Sequence, residues 1–283
     1  GIYSDLQHWN EPRELDDYKL CGVYHKAGVP FEVKEIAYCP QRQEEVYETL
    51  SKAVSDEVYT GLRDGKVVLV TGGYCMYGVP VSGGIQRALG GDKKVGVVYL
   101  DAHGDINTPE TTQSGMLGGM PLATTLGLCF DEWRELVGMQ VIYDDKNVIL
   151  SDARDVDEGE IQNLRQLGVT VLDTAAFCDV QKWTRAVDEL AERVDAIYLH
   201  VDADILDGKY VPDHFTIEMG GPDIATVVRN IQTVMDTGKV VVYNLNSIYF
   251  NTGEEKPGRE TSTLSGMKLI AAGLGNWKSC PEI

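Results

Sequence analysis

The pattern that most constrains this chain is an apolar run that ends in alternating acidic and imidazole side chains. Residues 95–100 read VGVVYL, which is typical of a buried parallel strand. Asp101, His103 and Asp105 then occupy every second position. Side chains at positions i, i+2 and i+4 of an extended chain point the same way. We therefore expect two carboxylates and one imidazole to converge beyond the carboxyl end of this strand, where open α/β sheets bind ligands.

A second apolar run, in IYLHVDADILDG, ends with the same spacing at Asp202 and Asp204. Either stretch alone also fits the start of an ordinary polar loop, whereas the pair together favours a functional site. Buried carboxylates need a charged partner or a metal ion. Oxygen ligands with one imidazole suit divalent cations such as Mn²⁺. The two strand ends therefore predict a metal site.

Length and composition predict one globular domain over residues 1–283, because no linker, repeat or low-complexity tract divides the chain. The net charge of −19 argues against nucleic acid or an anionic membrane as a partner. No apolar run approaches the ~20 residues of a membrane span, and no signal peptide is recognisable, so we expect a cytoplasmic protein. The six scattered cysteines are expected to be free thiols.

Eight predicted strands alternate with helices, which indicates an α/β fold with a parallel sheet covered on both faces. The strands are expected at residues 1–5, 31–38, 66–71, 95–100, 148–150, 169–172, 196–201 and 240–243. Helices are expected at residues 14–26, 43–63, 182–194 and 223–237.

At the two acidic strand ends the chain resembles the ureohydrolase family, which includes arginase and agmatinase. DAHGDINTPETTQSG (101–115) is similar to the first metal motif of arginase, and VDADILDG (201–208) is similar to the second. The resemblance is collinear from residue 67 to residue 247. It implies a three-layer α/β/α domain with an eight-stranded parallel sheet and two divalent metal ions, with Mn²⁺ expected first. It also implies a homo-oligomer, since members of the family are commonly trimers or hexamers.

The resemblance assigns roles to the acids and the histidine at the two strand ends. Asp101 and Asp202 would bridge both metal ions. His103 and Asp204 would complete the shell of one ion, while Asp105 would bind the other and hold the attacking hydroxide. Asp105 and His103 are accordingly the expected catalytic residues.

One expected ligand departs from the family pattern. Cys75, in VTGGYCMYG, stands where the family has a histidine. A thiolate is a competent ligand but a softer one, which shifts the preference toward Zn²⁺ or Fe²⁺. The alternative is an ordinary buried cysteine, in which case one ion would be weakly held or absent.

Further matches imply that the substrate is a small α-amino acid. Asn107 and Ser114 match positions that hydrogen-bond the α-carboxylate, and Thr216 matches a threonine near the scissile group. Asp157 and Glu160, in SDARDVDEGE, match positions that meet the α-ammonium. This acidic pair has an alternative role, because acids in the first turn of a helix complement its dipole.

The guanidinium end departs from arginase at two positions. Asn244 stands where arginase has a glutamate, and Gly118 stands where it has a histidine near the proton-transfer path. Asparagine cannot neutralise a cation, which favours a less basic group such as a hydroxyguanidine. The cysteine and the glycine-rich run resemble the branch of the family that hydrolyses Nω-hydroxy-arginine. His214 and Glu218 flank Thr216 and could compensate for these two departures, but both are interpreted as surface loop residues.

The chain is therefore predicted to be a dinuclear metal hydrolase of a guanidino, hydroxyguanidino or amidino α-amino acid. A plain arginase is the alternative within this reaction class. A non-catalytic relative that binds an amino acid or a single metal ion is the alternative from another class.

Overall fold

A parallel sheet forms the centre of the fold. The structure is a computed structural model that describes residues 22–28, 30–34, 36, 46–73, 75–248, 257–275 and 277. The strands are β1 (Val68–Thr71), β2 (Val95–His103), β3 (Val148–Asp155), β4 (Thr170–Leu172), β5 (Ala196–Asp202) and β6 (Val240–Asn246). All pairs are parallel, in the order β1-β6-β5-β2-β3-β4.

Helices connect the strands and cover both faces of the sheet. They are α1 (Val23–Lys26), α2 (Lys52–Arg63), α3 (Gly78–Leu89), α4 (Pro121–Thr125), α5 (Asp131–Leu136), α6 (Glu158–Leu164), α7 (Thr174–Cys178), α8 (Val180–Arg193), α9 (Ile224–Asp236) and α10 (Arg259–Leu274). Over the described ranges, none of the helices is both long and apolar enough to cross a membrane.

Two apolar cores, one on each face of the sheet, follow from the alternation of side chains along the strands. Val97 and Tyr99 of β2 belong to the core that α2 and α3 cover. Val98 and Leu100 belong to the core that α8, α9 and α10 cover. Because both faces of β2 are buried in this way, the predicted helical layers on the two sides of a parallel sheet are confirmed.

The described part of the sheet has six strands where eight were predicted. The predicted strand at 1–5 lies outside the described residues. The predicted strand at 31–38 is wrong for its described residues, 31–34 and 36, which form no strand. Phe31 and Val33 are exposed, and Glu32 pairs with Lys66 at 2.9 Å on the surface. Side chains in such a position have no buried face to pack against a neighbouring strand.

Several element ends also differ from the prediction. The predicted helix at 43–63 is a π-helix at Val46–Ser51 followed by α2, while residues 43–45 lie outside the described ranges. Of the predicted helix at 14–26, the described part contains α1. Strands β2, β3, β5 and β6 continue past their predicted ends, and most of the added residues stay buried, although β3 ends at an exposed Asp155.

The topology places the carboxyl ends of β2 and β5 side by side at the centre of the sheet. From β2 the chain continues to β3 on one side, and from β5 it continues to β6 on the other. The strand order therefore reverses between these two strands. A crevice at such a reversal is the usual ligand site of an open parallel sheet.

Candidate metal centre

The acids at the ends of β2 and β5 meet a cysteine that follows β1. Asp101 and Asp202 come directly after Leu100 and Val201, which are paired in the sheet. The Sγ atom of Cys75 lies 3.2 Å from Asp101 Oδ2 and 3.1 Å from Asp202 Oδ2. The structure thus brings together three predicted ligands from three strand ends.

His103 lies between the carboxylates of the two strand ends. Its Nδ1 atom is 3.2 Å from Asp101 Oδ1 and 3.1 Å from Asp204 Oδ2. The backbone N–H of Ala102 donates to the other oxygen of Asp204 at 3.2 Å. These contacts fix both His103 and Asp204 beside Asp101.

Asp105 reaches the same place by a different backbone path from the one predicted. The extended chain was expected to carry the alternation through Asp105, but the register of β2 shifts between Asp101 and His103, and Asp105 has a left-handed φ of 52°. Its carboxylate still lies in one group with Cys75, Asp101 and His200, whose ligand atoms are within 4.8 Å of one another. Tyr99 O–H donates to Asp105 Oδ2 at 2.6 Å.

We call the six predicted metal ligands the metal rim: Cys75, Asp101, His103, Asp105, Asp202 and Asp204. Five of the six are buried, and His103 is partly buried. A set of this density, with carboxylates, a thiol and an imidazole, fits divalent metal ions, which would neutralise the charge that burial disfavours.

Burial favours the protonated forms of Cys75, Asp101 and Asp105, the inner part of the metal rim. It raises the pKa of the Cys75 thiol well above its usual value, and the neighbouring carboxylates raise it further. Burial and the charges of Asp204 and Asp105 likewise raise the pKa of Asp101. Burial raises the pKa of Asp105 to about 7, although the hydrogen bond from Tyr99 opposes it. Binding of a metal ion would therefore displace protons from these groups into the solvent.

His103 and Asp204, the outer part of the metal rim, instead have pKa shifts that favour their charged forms. Burial would raise the pKa of Asp204, but the hydrogen bond and charge of His103 outweigh it, so the pKa of this carboxyl is lowered. Burial would lower the pKa of His103, and its contacts with Asp101 and Asp204 raise it instead. Without a metal ion, the imidazolium is therefore the cation that these carboxylates share.

A layer of neutral polar side chains lies one step deeper in the sheet, and we call it the polar floor: Tyr99, Tyr198, His200, Asn244 and Asn246. His200 pairs in register with Tyr99 on β2 and with Asn244 on β6. All five residues are almost completely buried.

Hydrogen bonds link the polar floor across β5 and β6. Tyr198 Oη is 2.9 Å from His200 Nδ1 and accepts a bond of 2.9 Å from Asn244 Nδ2. Asn246 Nδ2 is 3.1 Å from His200 Nε2. Within the described residues, the Oδ1 atoms of Asn244 and Asn246 have no hydrogen-bond partner. Asn244 was expected to face a guanidino group, and its amide nitrogen instead bonds Tyr198 in the interior.

The ring of His200 stacks on that of Tyr99, with centroids 3.8 Å apart. Burial lowers the pKa of His200 to about 3, so this imidazole is neutral. Sequence reasoning missed both residues because they lie inside apolar runs. The signal was the position of His200, two residues before Asp202 and hence on the same face of β5.

Three of the predicted substrate residues, Asn107, Asp157 and Glu160, lie together at the start of α6. Asp157 Oδ1 accepts from the backbone N–H of Glu160 at 3.1 Å, and Glu160 Oε2 accepts from that of Asp157 at 3.1 Å. This reciprocal capping box gives both acids a structural role. Asn107 Nδ2 also donates to Asp157 Oδ2 at 3.2 Å. Ser114, in the loop after Asn107, accepts from the N–H of Met116.

Arg154 organises the loop that carries Thr216, and sequence reasoning did not single it out. Its guanidinium donates to the carbonyls of Asp204 at 2.8 Å and Glu218 at 3.0 Å, and it pairs with the Asp152 carboxylate. Thr216 Oγ1 donates to Asp204 Oδ2 at 2.9 Å. The only sequence signal for Arg154 was its place in the RDVD motif, which ends at Asp157.

The interpretation of His214 and Glu218 as surface loop residues is wrong for His214. Its side chain is 4% exposed, and its Nε2 atom lies 3.4 Å from Asp202 Oδ1. Glu218 is partly exposed, with Oε1 3.9 Å from Nε2 of His103. The loop returns over the strand ends because Arg154 holds its backbone, and this path was not visible in the sequence.

The sequence profile described as the arginase family matches residues 7–271. The chain belongs to the arginase family. The arginase of Bacillus caldovelox is 33% identical over 181 residues, which make up 62% of this chain and 58% of that relative. The match thus spans less than two thirds of that arginase. The predicted family is confirmed.

Two further comparisons concern the fold and the branch of the family. A crystal structure of arginase from Bacillus subtilis has a TM-score of 0.80 at 23% identity, covering 97% of this chain and 99% of that chain. This likeness confirms the α/β fold with its parallel sheet. The N(omega)-hydroxy-L-arginine amidinohydrolase of Streptomyces lavendulae is 35% identical over 124 residues, or 44% of this chain and 41% of that protein.

Proposed function

We propose that this chain is a metal-dependent hydrolase that cleaves a carbon–nitrogen bond in a guanidino, hydroxyguanidino or amidino group of an α-amino acid. The observation that carries the proposal is the meeting of the metal rim at the ends of β2 and β5. Membership of the arginase family supports the reaction class.

The metal rim divides into two overlapping donor sets. Cys75, Asp101, Asp105 and Asp202 would hold one ion at an inner position. Asp101, His103, Asp202 and Asp204 would hold a second ion at an outer position. When bound, a pair of divalent ions supplies a nucleophilic water at neutral pH. Mn²⁺ is the ion that the family resemblance favours, while the Cys75 thiolate favours Zn²⁺ or Fe²⁺.

Residues of the metal rim and its neighbours have the following roles in this proposal. Tyr99 donates to Asp105 Oδ2 at 2.6 Å, so Asp105 Oδ1 would be the oxygen that holds the attacking water and takes its proton. His103 Nδ1, which lies between Asp101 and Asp204, would bind the outer ion together with these two carboxylates. Thr216, bonded to Asp204 Oδ2, places its hydroxyl beside the scissile group.

The amino-acid end of the substrate binds where the loop after β2 meets α6. Asn107 and Ser114 donate to the α-carboxylate, and Asp157 and Glu160 attract the α-ammonium. The hydrogen bond of 3.2 Å between Asn107 and Asp157 supports this assignment, because it holds the two recognition elements together. The capping box keeps the acids in place before substrate arrives.

The cleaved group is less basic than a guanidinium in this proposal. Asn244 provides no carboxylate, and its Nδ2 is bonded to Tyr198 in the buried polar floor. Gly118 provides no imidazole. A hydroxyguanidine suits such a site because its oxygen lowers its basicity. The partial match to an N(omega)-hydroxy-L-arginine amidinohydrolase supports the same choice.

Elemental analysis followed by a substrate screen tests the proposal. We expect close to two ions per chain after loading with Mn²⁺ or Zn²⁺, and hydrolysis of Nω-hydroxy-arginine faster than of arginine. Arginine as the preferred substrate would make the chain a plain arginase.

The departures at Cys75 and Gly118 favour one other function. Fewer than two ions after loading, with no hydrolysis of any guanidino amino acid, would identify a non-catalytic protein that binds an amino acid or one ion.

A further inference from the structure

The loop over residues 214–219 presents two faces with different chemistry. His214 and Thr216 face the carboxylates of Asp202 and Asp204, and Glu218 lies 3.9 Å from the imidazole of His103. Phe215, Ile217 and Met219, which alternate with them along the loop, are exposed. The polar face of this loop therefore belongs to the site.

The backbone holds the loop in place on both sides of His214. The N–H of Asp213 donates to Ser262 Oγ at 3.0 Å, and that of His214 donates to Val211 O at 2.9 Å. Arg154 bonds the carbonyl of Glu218 at 3.0 Å. The imidazole is thus presented by a fixed segment, as a metal ligand requires.

The ring of His214 is oriented by its own loop. Nδ1 lies 2.5 Å from the carbonyl oxygen of Thr216. The backbone N–H of Thr216 also lies 3.1 Å from Nδ1, but the carbonyl contact is the shorter of the two. A metal-binding Nε2 requires the tautomer in which Nδ1 carries the hydrogen and donates it to that carbonyl. Nε2 then faces Asp202 Oδ1 at 3.4 Å. Metal-bound histidines commonly have this arrangement, in which one ring N–H donates to a carbonyl and the other nitrogen faces the ion.

His214 also lies close enough to share an ion with two acids of the metal rim. Single ligand atoms of Asp202, Asp204 and His214 are all within 4.8 Å of one another. Nitrogen and oxygen ligands lie about 2.0–2.2 Å from an ion such as Zn²⁺, so two of them are at most about 4.4 Å apart. Shifts of a few tenths of an ångström bring the three atoms to that spacing.

We propose that His214 Nε2 is an additional ligand of the outer metal ion. This inference rests on the proposed function, because it requires a dinuclear centre. The outer ion would then have two imidazoles, from His103 and His214, beside its carboxylates. Imidazole donors favour borderline ions such as Zn²⁺ and Fe²⁺ over Mn²⁺. Cys75 moves the inner position in the same direction, so both ions would differ from a purely oxygen-rich pair.

Metal titration of the His214→Ala and His214→Gln variants tests the inference. We expect the wild-type chain to bind two Zn²⁺ ions and both variants to bind one of them at least about tenfold more weakly, since removing even a partner of a ligand costs 10–100-fold. Ile217→Ala, on the exposed face of the same loop, is the matched control and should bind both ions as the wild type does. Thermal unfolding without metal checks that each variant folds.

X-ray absorption of Zn²⁺-loaded protein gives a second readout that does not depend on activity. The imidazole scattering should fall from two rings per chain in the wild type to one in His214→Gln. Unchanged affinity and scattering in both variants would overturn the inference and leave His214 as a hydrogen-bonding partner of Asp202. Loss of affinity in His214→Ala with full affinity in His214→Gln would do the same. A wild-type chain that binds fewer than two ions would instead contradict the proposed function.

Discussion

The metal rim and the polar floor are neighbouring layers that share strands β2 and β5, yet their buried polar groups are stabilised in opposite ways. The rim crowds four carboxylates and a thiol around one imidazole, and burial raises the pKa values of Asp101 and Asp105. The floor contains no carboxylate, and its imidazole, His200, has a pKa lowered to about 3. The difference indicates that the rim depends on cations, whereas the floor depends on its own hydrogen bonds.

Asp202→Ala should have the largest effect on the rim. Asp202 contacts Cys75 and is assigned to both ions, so we expect metal affinity to fall by more than about 100-fold and hydrolysis to be lost. The metal-free variant should unfold at the same temperature as the metal-free wild type, or higher, because a buried like charge is removed. Asp188→Ala, on the exposed side of α8, is the control. An active, metal-replete Asp202→Ala enzyme would refute the metal assignment.

Asn244→Glu would place a carboxylate, the main ligand type of the metal rim, in the polar floor. A carboxylate at this fully buried position would lose the bond of Asn244 Nδ2 to Tyr198 and would need a charged partner. We expect a loss of about 3–5 kcal/mol in the free energy of unfolding, measured by denaturant titration. A variant of normal stability that gains activity on arginine would show that the side chain faces the substrate.

Metal affinity should depend on pH because the rim must lose protons to bind ions. Asp105, with a pKa of about 7, gains a proton as the pH falls below 7 and then competes with the ion. The affinity for Mn²⁺ should fall by up to about tenfold per pH unit for each proton released. Calorimetric titration at pH 6 and pH 8, in buffers of different ionisation enthalpy, measures both quantities. Equal affinities without proton release would mean that the carboxylates are already ionised.

Tyr198→Phe should have the smallest effect and should act on the floor alone. Removing this hydroxyl takes away the partner of Asn244 Nδ2 and of His200 Nδ1, each 2.9 Å away. We expect a loss of about 1–3 kcal/mol in unfolding free energy with metal affinity unchanged. Tyr210→Phe, on a partly exposed ring, is the control. A large fall in metal affinity would show that floor and rim are coupled through His200.

Sequence patterns predict the rim much better than they predict the floor. Asp101 and Asp202 stand out because an apolar run stops at each, and the fold brings parallel strand ends together. Tyr99 and His200 interrupt no pattern, since strands buried on both faces do not alternate. The position of His214 depends on the path of a loop that Arg154 fixes through backbone carbonyls. Contacts of that kind carry no signal in residue type.

The two predicted strands are missing from the described sheet for different reasons. Residues 1–5 are outside the described ranges, whereas residues 31–34 are described and exposed. Apolar and polar side chains alternate in FEVK as in a strand, but this pattern shows only that one face could be buried. Whether a neighbouring strand is present to cover that face is a property of the whole chain.

The alternation along residues 214–219 also limits how the length of this loop can change. Inserting or deleting one residue after His214 would turn Ile217 or Met219 toward the carboxylates and send Thr216 or Glu218 to the surface. A change of two residues would keep both faces. Chains that retain this site should therefore vary the length of the loop in steps of two, so that insertions and deletions in related sequences carry a record of which loop residues face the metal rim.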